Sequence, residues 1–177
     1  MQRLAIGLLA VYVLAAGCDE QSPTSPEPAG VQIDQSNLPV WDGAWTVIGR
    51  GSTVVRLAQT VRPQKSRLTA VGIDLLTANR GRGGDEITVR IVEGDRVLAT
   101  SSQSVPEGHD GLLLFEFPSP GIDVTPGTEF QLQVEDTGKE VFGWRYGLNV
   151  YAGGLAYLNG VPWDNGAFDF RFRTSGY

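Results

Sequence analysis

Aromatic side chains cluster late in the sequence, in glycine-rich surroundings, and they are the residue types best suited to holding a ligand. Five of them fall within 20 consecutive positions: Trp144, Tyr146, Tyr151, Tyr157 and Trp163. Sugars present apolar C–H faces that stack on such rings, while nearby carboxylates and amides bind their hydroxyls. Asp164 and Asn165 directly follow Trp163 and offer those polar groups. The cluster therefore indicates a candidate carbohydrate site.

The same aromatics also fit a structural role inside the fold. Trp144 lies on a predicted strand, where a large ring more often packs into a core. Tyr157 and Trp163 lie beside the turn dipeptides Asn159-Gly160 and Asn165-Gly166, where rings can brace loops. Ligand binding and packing both remain open at this point.

Acidic residues give a second, weaker candidate site, for Ca²⁺. Loop carboxylates and backbone carbonyls are the ligands that Ca²⁺ prefers. The candidate ligands are Asp85, Glu86 and Asp169, with Asp164 as a fourth. No spaced D-x-D-x-D-G loop supports them, so solvated or turn-forming acids are the alternative.

Composition excludes several classes of protein. One cysteine allows no intrachain disulfide, and one histidine allows no multi-histidine metal site. A net charge of −6 argues against nucleic-acid binding, which depends on cationic side chains. The carboxylates of Glu116, Glu135 and Asp169 lie on separate predicted strands, with no sign of a catalytic pair. We therefore predict a protein that is not an enzyme.

The N-terminus has the layout of a secretory signal. Arg3 precedes an uncharged run over residues 4–16, which is short for a membrane span, although a transmembrane anchor is the alternative. Ala15-Ala16-Gly17-Cys18 resembles the lipobox of bacterial lipoproteins. The resemblance implies a signal peptide over residues 1–17, lipid on Cys18 and an extracytoplasmic location in the cell envelope. It leaves open whether the inner or the outer membrane holds the anchor.

The stretch after Cys18 is rich in proline and small polar residues. Such a composition favours an extended, disordered tether over a packed element. We therefore assign residues 18–40 to the lipidated cysteine and its tether, and residues 41–177 to a single folded domain.

The domain shows apolar residues at every second position, between turns rich in Gly, Pro, Asn and Asp. The clearest rows are Phe130/Leu132/Val134, Phe168/Phe170/Phe172, Ile87/Val89/Ile91, Leu113/Phe115/Phe117, Val71/Ile73/Leu75, Val55/Leu57/Val61 and Trp144/Tyr146/Leu148/Val150. Seven to nine short strands and almost no helix indicate an all-β fold, an antiparallel β-sandwich of jelly-roll type. Gln59 falls on one inward row, and a buried amide there must tie strands together.

The order of these segments resembles the non-catalytic β-sandwich modules of secreted and surface-anchored bacterial proteins, which are similar to carbohydrate-binding jelly rolls. The most specific part runs from Tyr151 to Tyr157, with Trp163 beyond it. The resemblance implies a binding or accessory role outside the cell, toward a glycan or another envelope protein. The alternative is a structural component of the envelope without a small-molecule ligand.

Overall fold

The computed structural model describes residues 30–38, 45–49, 52–77, 86–135 and 141–177. The predicted signal peptide, Cys18 and Asp85 lie outside these ranges. Within the ranges no α-helix forms. No helix there is long and apolar enough to cross a membrane.

Two antiparallel sheets pack face to face around one hydrophobic core. The eight-stranded sheet consists of β1 (Gln32–Asn37), β2 (Trp45–Gly49), β4 (Arg67–Thr77), β7 (Asp110–Glu116), β8 (Ile122–Asp123), β10 (Val141–Leu148), β13 (Phe168–Phe170) and β14 (Phe172–Gly176). The six-stranded sheet consists of β3 (Arg56–Val61), β5 (Glu86–Glu93), β6 (Arg96–Ser104), β9 (Phe130–Glu135), β11 (Ala156–Leu158) and β12 (Val161–Pro162). The predicted all-β sandwich is confirmed.

The core is built from the alternating apolar rows that the sequence displays. Phe130, Leu132 and Val134 of β9 are 1% exposed or less, as are Ile87, Val89 and Ile91 of β5. Full burial of one such side chain stabilises the fold by about 1.5–3 kcal/mol relative to exposure. The intervening residues Thr88, Arg90, Gln131 and Glu135 are partly exposed, so the outer faces of β5 and β9 contact solvent in part. Gln133 of β9 and most of β3 are buried on this side as well.

The predicted row along β10 is wrong at its far end. Trp144 is fully buried, but Leu148 is 69% exposed and Val150 is 64% exposed. β10 ends at Leu148, which pairs only with the short strand β13. Leu148 and Val150 therefore lie past the residues of this row that pack into the core.

The predicted tether contributes a strand, which corrects the domain boundary at residue 41. β1 pairs with β14 over Gln32–Gly176 to Asn37–Phe172. Asn37 is buried and its Nδ2 donates to the carbonyl of Phe170 at 2.9 Å. Composition hides this strand because Ile33 is its only apolar residue, and hydrogen bonds rather than apolar burial hold it.

The strand predicted over residues 168–173 is interrupted at Arg171, where β10 and β4 separate. The N–H of Arg171 donates to the carbonyl of Arg145, and its carbonyl accepts from the N–H of Asp74. The three side chains form an ion-pair group: Asp74 Oδ1 lies 3.0 Å from Arg145 and Oδ2 lies 2.8 Å from Arg171. Asp74 and Arg145 are both buried, so this group joins β4 and β10 to the break between β13 and β14 with little solvent screening.

Candidate functional site

Trp144 belongs to the core and not to a surface platform. Its indole is 0% exposed and stacks on Phe170, with ring centroids 4.3 Å apart. Its Nε1–H donates to the carbonyl of Arg171 at 2.8 Å. Both faces and the polar edge of the ring are therefore unavailable to a ligand, which corrects its inclusion among the predicted binding residues.

Trp163 is partly buried against the same aromatic group. Its ring centroid lies 4.3 Å from Tyr146, 5.0 Å from Phe168 and 5.5 Å from Phe170. These contacts close the inward side of β10 and β13 where the second sheet does not reach. The arrangement gives Trp163 a bracing role and leaves only part of its ring in contact with solvent.

The hairpin that carries Trp163 is shaped by left-handed backbone. Asn159 and Gly160 join β11 to β12 with φ angles of 51° and 85°, the geometry of a two-residue type I′ turn. Asp164 and Asn165 also have positive φ, of 44° and 53°, and both are exposed. They remain accessible to a ligand, whereas the Asn159 amide is occupied by the chain at Thr53, Val55 and Arg56.

Tyr151 lies apart from this hairpin, in the wall of a cleft beside the end of β3. The cleft has a volume of about 650 Å³ and is lined by Gln35, Arg62, Pro63, Gln64, Pro126, Gly127, Tyr151, Ala152 and Gly153. The Tyr151 hydroxyl donates to Gln35 Oε1 and accepts from the N–H of Arg62, both at 3.2 Å. Burial raises the pKa of this phenol above 10.0, so it stays protonated at neutral pH.

The glycines after Tyr151 bring this segment against β3. A Cβ at Gly154 would collide with the carbonyl oxygen of Thr60. The close approach allows Leu155 to donate its N–H to Thr60 Oγ1 at 2.7 Å and to accept from the Thr60 N–H at 2.9 Å. The segment from Tyr151 to Tyr157 therefore needs glycine at position 154 in order to pair with β3.

Asp169 is fully buried and its carboxylate is engaged by the chain itself. Oδ1 accepts from Gln59 Nε2 at 3.1 Å, and Oδ2 accepts from the backbone N–H groups of Val150 and Tyr151 at 3.2 and 3.0 Å. Desolvation raises the pKa of this carboxyl, and the three hydrogen bonds oppose that rise. The geometry makes Asp169 an acceptor for polar groups of the core.

The predicted calcium ligands do not meet in the described part of the chain. Glu86 is exposed at the start of β5, in the sheet opposite Asp169, and Asp169 is occupied as described above. Among the residues that the structure describes, no three His, Cys, Asp or Glu side chains group to hold a metal ion.

Tyr157 faces solvent on the outer side of the six-stranded sheet and heads a row of paired residues. Strand register places Tyr157 beside Ala58, Ala58 beside Gln133, Gln133 beside Arg90, and Arg90 beside Thr100. Directly paired residues of antiparallel strands share one face, with Cβ atoms about 4.5–5.5 Å apart. The row therefore crosses five strands on one face of the sheet, and we call it the Tyr157 row. Within it Tyr157 and Arg90 are partly exposed, whereas Ala58 and Gln133 are only 3% and 8% exposed.

Polar groups beside the Tyr157 row are held in place by one another. Gln133 Nε2 donates to Gln131 Oε1 at 2.8 Å, and Arg90 forms an ion pair with Glu135 at 2.8 Å. Farther along the same face, the hydroxyls of Thr88 and Ser102 are 2.8 Å apart. Side chains ordered before a ligand arrives lose less entropy on binding.

Sequence reasoning identified Tyr157 but missed its neighbours. Ala58, Gln133 and Arg90 are distant from it in the chain, and their alternation with apolar residues showed only that they lie on the polar face of each strand. Which polar positions stand side by side depends on strand order and register.

A scan against models of known protein families finds no match for this chain, and a search of the curated proteins finds no relative.

Proposed function

We propose that this chain is a lipid-anchored extracytoplasmic binding module without catalytic activity, and that it holds a carbohydrate on the Tyr157 row. The observation that carries the proposal is the register that aligns an exposed-face tyrosine with Ala58, Gln133 and Arg90 across neighbouring strands. From Tyr157 to Arg90 the row covers three strand spacings, or about 14 Å. That length suits a short saccharide lying across the strands.

The chemistry of the row suits a sugar better than an apolar ligand. The phenol ring of Tyr157 makes no ring contact with other described residues, so it can receive an apolar sugar face. Ala58 next to it is buried, so the contact with the sugar at this end of the row is made by the Tyr157 ring. Arg90, which is partly exposed, then offers hydrogen bonds to hydroxyls where the sugar continues along the row.

The anchor is the other half of the proposal. Lipid on Cys18 would hold the module at a membrane surface through the segment that precedes β1. Several acyl chains on one cysteine give stable anchoring where one chain is marginal. Labelling cells with a radioactive fatty acid tests this part: the natural chain should take up label, and Cys18→Ser should not.

A glycan array with the unlipidated chain tests the site. We expect binding by the natural chain, and loss of binding in Tyr157→Ala and in Arg90→Gln. The matched control is Tyr177→Ala, which removes a 45% exposed tyrosine at the end of the other sheet. Trp163→Ala separates the Tyr157 row from the hairpin alternative that includes Asp164 and Asn165.

Each outcome has a defined meaning. Binding that survives Tyr157→Ala but not Trp163→Ala, with both variants folded, would move the site to the hairpin. Failure of every glycan to bind would remove the carbohydrate proposal and leave the anchored module.

A structural component of the envelope is the second candidate, and exposed apolar side chains favour it. Leu148, Val150 and Val161 are 69%, 64% and 65% exposed. If these side chains bring copies together, light scattering on the unlipidated chain should show concentration-dependent association. Leu148→Ser and Val150→Ser should then reduce it, whereas a monomer at all concentrations counts against this candidate.

A further inference from the structure

The cleft beside Tyr151 holds a set of unused hydrogen-bond donors. Because Gln35 Oε1 accepts from the Tyr151 hydroxyl, the amide leaves its Nε2 hydrogens without a partner among the described residues. The terminal nitrogens of Arg62 likewise make no hydrogen bond within those residues. Both side chains line the cleft, one on each side of the phenol.

Charge in the cleft favours an anion. Arg62 is the only charged residue among those that line it, in a chain whose net charge is −6. Arg62 forms an ion pair with Glu129 through Nε, at 3.7 Å from Oε2, which is longer than a charge-assisted hydrogen bond and leaves its terminal nitrogens available. Asp34 is already occupied, because its Oδ1 accepts the N–H groups of Gln64 and Lys65.

We infer that this cleft binds a carboxylate-bearing ligand, with Arg62 and Gln35 holding the carboxylate and Pro63, Pro126 and the Tyr151 ring contacting the rest of the molecule. A guanidinium matches the two oxygens of a carboxylate with two parallel N–H donors. Asp34 and Glu129 nearby repel any anion, and they oppose a doubly charged phosphate more strongly than a singly charged carboxylate. The inference is independent of the Tyr157 row, which lies on the outer face of the six-stranded sheet.

A carboxylate could come from the C-terminus of a peptide or from a sugar acid, and calorimetry separates the two sources. The full chain in non-ionic detergent is titrated with the peptide Ala-Ala-Ala, the same peptide amidated at its C-terminus, and sodium glucuronate. The variants are Arg62→Gln, which removes the charge, and Arg62→Lys, which keeps the charge but loses the planar fork. Arg96→Gln is the control, since Arg96 is an exposed arginine paired with Glu93 on the β5–β6 turn.

We expect at least one acid probe to bind the natural chain, and Arg62→Gln to weaken it about tenfold or more, as loss of a charge-assisted hydrogen bond implies. The affinity of Arg62→Lys should lie between those of the natural chain and Arg62→Gln. Arg96→Gln should bind the acid probes like the natural chain. Binding of the free peptide alone, or of glucuronate alone, supports the inference and identifies the source.

Three results would overturn it: no acid probe binds, the amidated peptide binds as well as the free acid, or Arg62→Gln binds like the natural chain. The Arg62 side chain is mostly exposed, so its replacement leaves the fold intact. Tyr157→Ala is titrated in parallel and should bind the acid probes normally, which keeps this test separate from the glycan array.

Discussion

The side-chain amide of Gln59 joins the two sheets through the middle of the core. Its Nε2 donates to Asp169 Oδ1 at 3.1 Å, and its Oε1 accepts from the N–H of Phe170 at 2.8 Å. Both Gln59 and Asp169 are 0% exposed. Gln59 therefore links β3 to β13 by polar contacts in a region that is otherwise apolar, and the predicted role of this amide is confirmed.

The polarity of the Gln59–Asp169 contact should be reversible. In Asp169→Asn the side-chain oxygen can still accept from the N–H groups of Val150 and Tyr151. The amide nitrogen Nδ2 then faces Gln59 Nε2, so two hydrogen-bond donors point at each other. We expect this variant to lose about 1–3 kcal/mol of unfolding free energy. Gln59→Glu should also destabilise, because it places two buried carboxylates together.

The double variant Gln59→Glu/Asp169→Asn restores a donor to an acceptor. Its loss of unfolding free energy, measured in urea, should be smaller than the sum of the two single losses by about 1 kcal/mol or more. Additive losses would show that the two side chains are not coupled.

The buried carboxyl of Asp169 should make stability depend on pH in a stated direction. Its pKa in the folded chain lies above 3.8, so the folded chain binds this proton more tightly than the unfolded chain does. The contribution of this group to the unfolding free energy therefore falls as pH rises from about 3.8 through the folded-state pKa. Below that window the contribution is fully present.

Urea unfolding measures this effect when it is carried out on the natural chain and on Asp169→Asn between about pH 4 and pH 7. The unfolding free energy of the natural chain minus that of the variant should become smaller as pH rises. The contributions of all other titratable groups are the same in both chains and drop out of this difference. A difference that grows with pH would mean that the three hydrogen bonds outweigh desolvation.

The two tryptophans of the predicted platform should differ in their effect on stability. Trp144→Ala removes a fully buried ring and should cost about 3–5 kcal/mol of unfolding free energy. Trp163→Ala should cost less, because its ring is only partly buried. Denaturant unfolding of both variants provides the measurement, and an equal or smaller loss for Trp144→Ala would contradict its place in the core.

The ion-pair group where β10 and β4 separate should matter more than ion pairs at the surface. Asp74→Asn removes the carboxylate that Arg145 and Arg171 share, and it should cost about 1.5–3 kcal/mol. The loss stays in this range because Arg145 keeps its ion pair with Asp110. Asp123→Asn is the control: its carboxyl pairs with Arg67 but is 81% exposed, so the loss should stay below about 1 kcal/mol. Similar losses in the two variants would show that burial adds nothing to the Asp74 contacts.

Strand β1 should be part of the stable domain although it resembles a tether in composition. A chain that begins at Gly30 keeps β1, and we expect it to unfold at the same urea concentration as the unlipidated chain. A chain that begins at Leu38 loses the buried Asn37 contact with Phe170 and the Gln35 contact with Tyr151. It should be less stable by more than about 2 kcal/mol, and equal stability would make β1 dispensable.

The sequence by itself determined the fold class and the face on which most strand residues lie. Alternation at period two is a local property, so the rows through Leu132, Val89 and Ile73 could be recognised without knowing what they pack against. The inward position of Gln59 followed from the same alternation. The signal sequence and the lipid on Cys18 remain predictions that rest on the N-terminal residues.

Tertiary structure decided which residues stand side by side. Trp144 and Trp163 are neighbours of Phe170 in space, so their rings are used in packing rather than in one exposed platform. β1 forms because β14 offers it a hydrogen-bonding edge, which no local pattern shows. The Tyr157 row exists only because register brings Tyr157, Ala58 and Gln133 together, and register is set by contacts between residues far apart in the chain.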